Sequence, residues 1–418
     1  MKILLDISTL GIGHVLPQAR SGVFRVAEHT AVGLRESGEC ELRFSASQGY
    51  LLECLGYLQA TPLFTEYRMY PPYRALPLLG ALFNRAPLGA AKSHVRFAIA
   101  ILLRRLLGSK VFFAAGSPSA SDQADIYHSP LHAIPEWIDY RKLKVFQTIH
   151  DLIPVLYPQF FLKFRPDPSL LNALAALTFE TNILCVSQST KNDLCNHMRT
   201  IDPGKVSVLP LAASEEFYEC SDKAAMLSVR RKYGIPAEAV YFLSVSTLEP
   251  RKNIALIIKS FVRILQEEKR TDLYLVLTGA KGWKYAEIFS ELAKAEEFLG
   301  RIILTGYVPD ENLAPLYSDA LAFVYPSFYE GFGLPPLEAM QCGTPVITSD
   351  TSSLPEVVGE AGIMVKPTDG DALCQAMLSV SRDAELRDSM KRKSIARAGL
   401  FSWQRYTQEL LALYKKAL

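Results

Sequence analysis

Residues Phe323 to Asp350 read FVYPSFYEGFGLPPLEAMQCGTPVITSD. The apolar run Leu321 to Tyr325 suits a buried parallel strand, and Pro326 and Ser327 end it. Glu330-Gly331-Phe332-Gly333 follows, and Pro335 and Pro336 stand where a helix can begin. Strand, loop and helix start are the parts of an α/β unit. Gly331 and Gly333 lack a Cβ, so backbone N–H groups can approach a ligand closely, and the positive end of the helix favours an anion such as a diphosphate.

Glu330 and Glu338 bracket the loop with seven residues between them. A pair of acids can serve as acid and base in glycoside hydrolysis. Beside a phosphate cradle, carboxylates are better used as acceptors for vicinal hydroxyls, one gripping a sugar ring and the other a ribose.

A chain of 418 residues exceeds what one core usually supports, so two domains are expected. A net charge of +2 gives no global field for nucleic acid. The seven cysteines are odd in number and lack C-x-x-C spacing, which points to reduced thiols in a cytoplasmic protein and not to a disulfide frame or zinc site. Met1 to Leu5 begins like a signal peptide, but Asp6 interrupts it, and the segment is read as a first strand. No uncharged apolar run reaches the 18 residues or so that a membrane span needs.

Strands are expected at Lys2–Ile7, Ile126–His128, Val145–Thr148, Ile183–Val186 and Val206–Pro210, then at Val240–Val245, Leu273–Thr278, Ile302–Thr305, Val346–Thr348 and Ile363–Val365. Gly11, Gly13 and Gly22 are placed in a loop before a helix from about Val23 to Glu36. The domains are expected at 1–211, with a basic and apolar insertion over 45–125, and at 237–398. A linker over 212–236 joins them, and a C-terminal helix over 399–418 crosses back to the first. Residues 67–121 hold eight Arg or Lys and no acid, and Ala90 to Leu107 can form a basic amphipathic helix. Such an element suits an anionic membrane surface, or packs as an ordinary helix.

His150 and Asp151 fall at the carboxyl end of a strand, where open α/β sheets bind ligands. Asp151 and His128 are candidate acceptor contacts, with His132 a weaker one; Asp151 could equally cap its turn. Arg251 and Lys252 can set a fork and a point charge on two phosphates. At a helix start they oppose the dipole, which argues for an anion beside them. Asp369-Gly370-Asp371 has the spacing of a metal-binding D-x-D, but it precedes a helical pattern and is read as a cap.

The central segment resembles the E-x7-E signature of retaining glycosyltransferases of the GT-B fold, family 4 type. Further matches occur in family order: Thr148-Ile149-His150-Asp151-Leu152, Cys185 to Lys191, Ser246 to Asn253, Gly306-Tyr307-Val308 and Tyr325-Pro326-Ser327. The resemblance implies an α/β fold of two Rossmann-like domains facing across a cleft. It also implies a nucleotide-sugar donor, UDP or GDP linked, and a glycan or lipid-linked acceptor in polysaccharide assembly.

The residues it points to for catalysis are Arg251, Lys252, Glu330 and His150. Gly22, Thr247, Tyr307, Val308, Gly331, Phe332, Gly333, Leu334 and Glu338 would bind the donor. Neither a cofactor nor a metal is expected, the nucleotide-diphosphate sugar being a substrate. The implied location is the cytoplasm, at the inner face of the membrane where 67–121 touches it. An epimerase, or a non-catalytic nucleotide-sugar-binding subunit, is the alternative on the same fold.

Overall fold

The computed structural model describes residues 1–16, 22–47, 50–67, 69–70, 124–161, 168–280, 282 and 286–418. The basic helix expected over Ala90 to Leu107 lies outside them. Among the described residues the strands form two sheets, each parallel throughout.

The first contains β1 (Lys2–Asp6), β2 (Glu41–Ser45), β3 (Met69–Tyr70), β4 (Ile126–Ser129), β5 (Lys144–Ile149), β6 (Asn182–Cys185) and β7 (Val206–Val208), in the order β3-β2-β1-β4-β5-β6-β7. The second contains β8 (Val240–Val245), β9 (Leu273–Thr278), β10 (Ile302–Gly306), β11 (Ala322–Tyr325), β12 (Val346–Ser349) and β13 (Ile363–Val365), in the order β10-β9-β8-β11-β12-β13. Both orders reverse direction beside their first strand. That switch point opens a crevice at the strands' carboxyl ends, which in the second sheet lies between β8 and β11.

Helices cover the sheets: α1 (Ser8–Val15), α2 (Gly22–Glu36), α3 (Leu51–Ala60), α4 (Gln188–His197), α5 (Ile254–Glu268), α6 (Leu334–Gln341), α7 (Leu354–Val358) and α8 (Trp403–Ala417). In α5, Ile254, Ile257, Ile258, Phe261, Ile264 and Leu265 recur at helical spacing and are buried on the second sheet. Ser402 caps α8 by accepting from the Arg405 amide. Its buried face meets the first half of the chain: the Tyr406 hydroxyl lies 2.9 Å from Thr30 Oγ1, and Trp403 stacks on His29 at 4.2 Å.

The structure differs from the sequence reading in three stretches. Gly11 and Gly13 lie inside α1, not in a loop; a Cβ on Gly11 would come within 2.6 Å of the Cys54 amide nitrogen, so the glycine permits close packing on α3. The stretch 45–125, expected as an insertion, includes α3 and β3, which complete the core and edge of the first sheet. The expected linker over 212–236 contains the helix Lys223–Lys232, capped by Asp222. Buried Arg230 ties it to the second half through Asp319 at 2.5 Å and the carbonyls of Pro236, Ala237 and Ala239.

Candidate active site

The loops after β8 and β11 leave adjacent strands at the switch point and meet over a cavity of about 840 Å³. Its walls include Gly22, His150, Asp151, Thr247, Arg251, Lys252, Tyr307, Val308, Glu330, Gly331, Phe332, Gly333, Leu334 and Glu338. Chain segments from both sheets contribute, so the cavity lies between the two halves.

Pro250–Lys252 forms a short 3-10 turn, and Asn253 follows it with a φ of 58°. The Asn253 side chain holds this left-handed turn, its Nδ2 donating to the carbonyls of Pro326 and Pro367. Arg251 and Lys252 are thereby brought to Glu330: Arg251 Nη1 lies 2.8 Å from Oε2, and Lys252 Nζ lies 2.7 Å from Oε1. Arg251 also donates to Glu249 at 2.5 Å and to the Tyr329 carbonyl at 2.6 Å, and Lys252 donates to the Tyr325 hydroxyl at 2.5 Å. The anion expected beside these cations is thus supplied in part by the protein itself. Among the described residues these contacts use three of the five N–H donors of Arg251 and two of the three of Lys252, leaving donors for a ligand.

Burial pushes the Glu330 carboxyl up, but Arg251, Lys252 and the Ser327 hydroxyl more than reverse this and bring its pKa down to about 2. Lys252 is lowered by burial and by the neighbouring guanidinium.

The glycine loop is held from three sides. Ser352, at a φ of 53°, accepts from the Glu330 amide at 2.9 Å, and the Ser353 hydroxyl serves the Glu330 and Phe332 carbonyls. From the first half, Ser187 donates to the Gly331 carbonyl at 2.7 Å while capping α4. A Cβ on Gly331 would fall 2.1 Å from the His150 carbonyl oxygen, so only glycine permits this approach. Gly333, at a φ of 117°, turns the chain into α6 at the cavity; Pro335 and Pro336 carry no N–H and the Leu337 amide bonds the Gly333 carbonyl, so Leu334 supplies the N–H of that first turn.

His150 Nε2 donates to the Pro130 carbonyl at 2.8 Å, and burial lowers its pKa. Asp151 accepts from the Ile153 amide, so it caps its turn while lining the cavity. Tyr307 is 71% exposed at the cavity rim, next to buried Val308. Asp369 accepts from the Ala372 amide, the helix-cap role expected of the D-x-D.

His128 does not join them. It is fully buried between Tyr414 of α8, 2.6 Å from Nδ1, and Thr148, 2.8 Å from Nε2, and burial lowers its pKa to about 3. With both ring nitrogens engaged inside the core, it offers nothing to an acceptor. Three charged cavity residues are given no role by the sequence reading: Arg25, Asp310 and Glu249. Arg25 stands in the helix expected after Gly22, but a cation in a helix gives no sign of its partner.

Residues 227–397 match the family model described as glycosyl transferases group 1. The chain is 35% identical over 290 residues to O-antigen chain mannosyltransferase B of Escherichia coli, covering 69% of this chain and 74% of that one. The chain belongs to the group 1 glycosyl transferases. It is also 32% identical over 282 residues to the E. coli serotype-specific mannosyltransferase WbdA, covering 66% of this chain but only 34% of that longer protein.

Two solved structures share the fold of this glycosyltransferase. Sucrose-phosphate synthase from Thermosynechococcus elongatus has a TM-score of 0.66 at 20% identity, covering 100% of this chain and 98% of that one. HepE of Anabaena, solved with UDP and glucose, has a TM-score of 0.65 at 15% identity and full coverage of both chains. The architecture is GT-B, two α/β halves around a cleft. No helix among the described residues is long and apolar enough to cross a membrane.

Proposed function

We propose that this glycosyltransferase moves a hexose, with mannose the first choice, from a nucleotide-diphosphate sugar to a glycan or lipid-linked acceptor in cell-surface polysaccharide assembly. The donor is GDP-mannose or a UDP-hexose. The names of the E. coli relatives support mannose, and the UDP in HepE supports a nucleotide donor. One observation carries the reading: Arg251 and Lys252 converge on Glu330 beside the loop Gly331 to Leu334, in the cavity between the two halves.

A nucleoside diphosphate leaves easily once its charge is neutralised. The remaining donors of Arg251 and Lys252, with the amides of Phe332 to Leu334, supply that stabilisation without a metal ion or cofactor. Glu330, held ionised, accepts from sugar hydroxyls, and Glu338 accepts from the ribose. Tyr307 and Val308 receive the base, while His150 stands near the reacting carbon and Asp151 on the acceptor side. The acceptor hydroxyl attacks from the face of the departing diphosphate, so configuration is retained. Closure of the halves keeps out water that would hydrolyse the donor. Contact of residues 67–121 with an anionic membrane surface belongs to the same proposal, their eight cations and lack of acids supporting it.

The test incubates the full chain with GDP-mannose, UDP-glucose and UDP-galactose, plus a mannosylated lipid-linked acceptor, in excess chelator. Release of nucleoside diphosphate with a new α-linked sugar is expected. Release only after a divalent ion is restored, or a β-linked product, would overturn the metal-independent, retaining reading.

A further inference from the structure

Arg25 belongs to α2 of the first half, yet its guanidinium ends among acids of the second. Nη1 donates to Glu338 Oε1 at 2.8 Å and Nη2 to Asp310 Oδ2 at 2.6 Å. The other oxygen of Glu338 accepts from the Tyr317 hydroxyl at 3.1 Å. A carboxylate oxygen has two lone-pair sites. Among the described residues each oxygen of Glu338 therefore has one site spoken for and one left, and the two that remain match the demand of a vicinal diol. Gly22 begins the same helix, and a Cβ there would come within 3.0 Å of Leu334 in α6, so the first turns of α2 ride directly on the donor loop.

We propose that Arg25 is a positioning residue for the donor: reaching across the cleft, it fixes and charge-balances Glu338, so the ribose grip is complete only when the two halves are closed. This rests on the assignment of Glu338 to the ribose. A planar fork suits this position, because its two separate nitrogens diverge to two acids; the three donors of a lysine radiate from one atom and match that separation less well. The pairing also turns domain closure into nucleotide affinity, since an open cleft leaves Glu338 with Tyr317 alone.

The groups facing Glu338 are Arg25 from α2, Asp310 from the turn Asp310–Asn312, Tyr317 from the helix Leu313–Ser318, and Cys342 just after α6. Burial raises the Glu338 pKa, with Arg25 opposing it and Asp310 adding to it. Without Arg25 the carboxylate loses its nearest counter-charge, and its pKa rises further.

The experiment measures GDP and UDP binding by calorimetry from pH 5 to 8 for the full chain and for Arg25→Ala, Arg25→Lys and Glu338→Gln. Arg25→Ala should weaken the bound nucleotide about tenfold at pH 7, less than truncation of a fully buried charge pair costs, because the Arg25 side chain is 26% exposed. It should also move the acid limb of the affinity profile to higher pH, and Arg25→Lys should recover part of both. In turnover assays the effect should fall on the donor KM and spare kcat. Should Arg25→Ala not fold, Arg25→Gln gives the same reading with most of the side-chain volume kept.

The outcomes separate cleanly. If the wild type binds neither GDP nor UDP, or if Glu338→Gln changes neither affinity nor profile, the ribose assignment falls and takes this proposal with it. If Glu338→Gln weakens binding while the Arg25 variants keep wild-type affinity and profile, Arg25 is a plain interdomain contact. The proposal is then overturned and the donor reading stands.

Discussion

The two acids of the E-x7-E motif are buried alike, Glu330 8% and Glu338 4% exposed, yet they occupy opposite electrostatic settings. Glu330 faces two cations of its own half, Arg251 and Lys252, and its pKa falls to about 2. Glu338 shares one cation, Arg25 of the other half, with a competing acid, Asp310, and its pKa is raised. Equal burial is thus no guide to charge; the count of nearby partners decides it. It follows that the Glu330 end is built before the halves meet, whereas the Glu338 end needs the cleft shut.

The largest expected effect tests the first end. Lys252→Ala should cut turnover about 10²- to 10³-fold, the usual cost of one preorganised electrostatic donor. Folding stability should drop far less, because Arg251 still balances Glu330. Equal losses in turnover and in urea stability would make Lys252 a structural ion pair. Glu330→Gln probes the same cluster from the other side. It removes the internal anion, so GDP or UDP should bind the two cations more tightly while transfer slows about 10²-fold. Weaker nucleotide binding would show that Glu330 does not compete with the diphosphate for those cations.

Stability against pH separates the ends with opposite signs. Glu330 is depressed from 4.5 to about 2, so its contribution is present above pH 4.5 and lost as pH falls toward 2. At about 1.4 kcal/mol per unit that is on the order of 3 kcal/mol. Glu338 is raised above 4.5, so its contribution is full below that value and lost as pH rises through its folded pKa. Urea unfolding of Glu330→Gln from pH 5 to 2.5 should therefore show a flatter curve than wild type. Glu338→Gln should remove a decline on the alkaline side of pH 4.5. Two curves bending the same way would erase the contrast.

Much of this was legible in the sequence, for a physical reason. Parallel strands buried on both faces are continuous apolar runs, so β8, β9, β11 and β12 announce themselves, and the loops at their carboxyl ends carry the site. The missed elements lack that signal. β2 reads ELRFS with a charge inside it, β3 has two residues, and α3 reads LLECLGYLQA with hardly a polar face to mark its period. His128 looked like His150, a histidine near a strand end. It lies one residue inside β4, however, and its environment is set by Tyr414, 286 residues later. Arg25 failed to show for the same reason: its acids lie 285 and 313 residues away. Local pattern gives the frame and the loops; contacts across the cleft come only from the folded chain.

The smallest expected effect bears on the second end. Asp310→Asn removes the acid that competes for Arg25 and repels Glu338. Two consequences oppose each other. Relief of repulsion lets Glu338 ionise at lower pH and should strengthen nucleotide binding; loss of one anchor loosens Arg25. The Arg25–Asp310 pair is about one-third exposed, and such pairs contribute ~0–1 kcal/mol, whereas the contact of Arg25 with buried Glu338 persists. Relief should therefore prevail: GDP or UDP should bind up to about threefold more tightly, and the acid limb of the affinity profile should move down in pH, opposite to Arg25→Ala. A fall in affinity beyond threefold, measured by the same calorimetry, would mean that Asp310 itself contacts the nucleotide, and that the Glu338 end is held by two acids of this half rather than by one acid and an arginine from across the cleft.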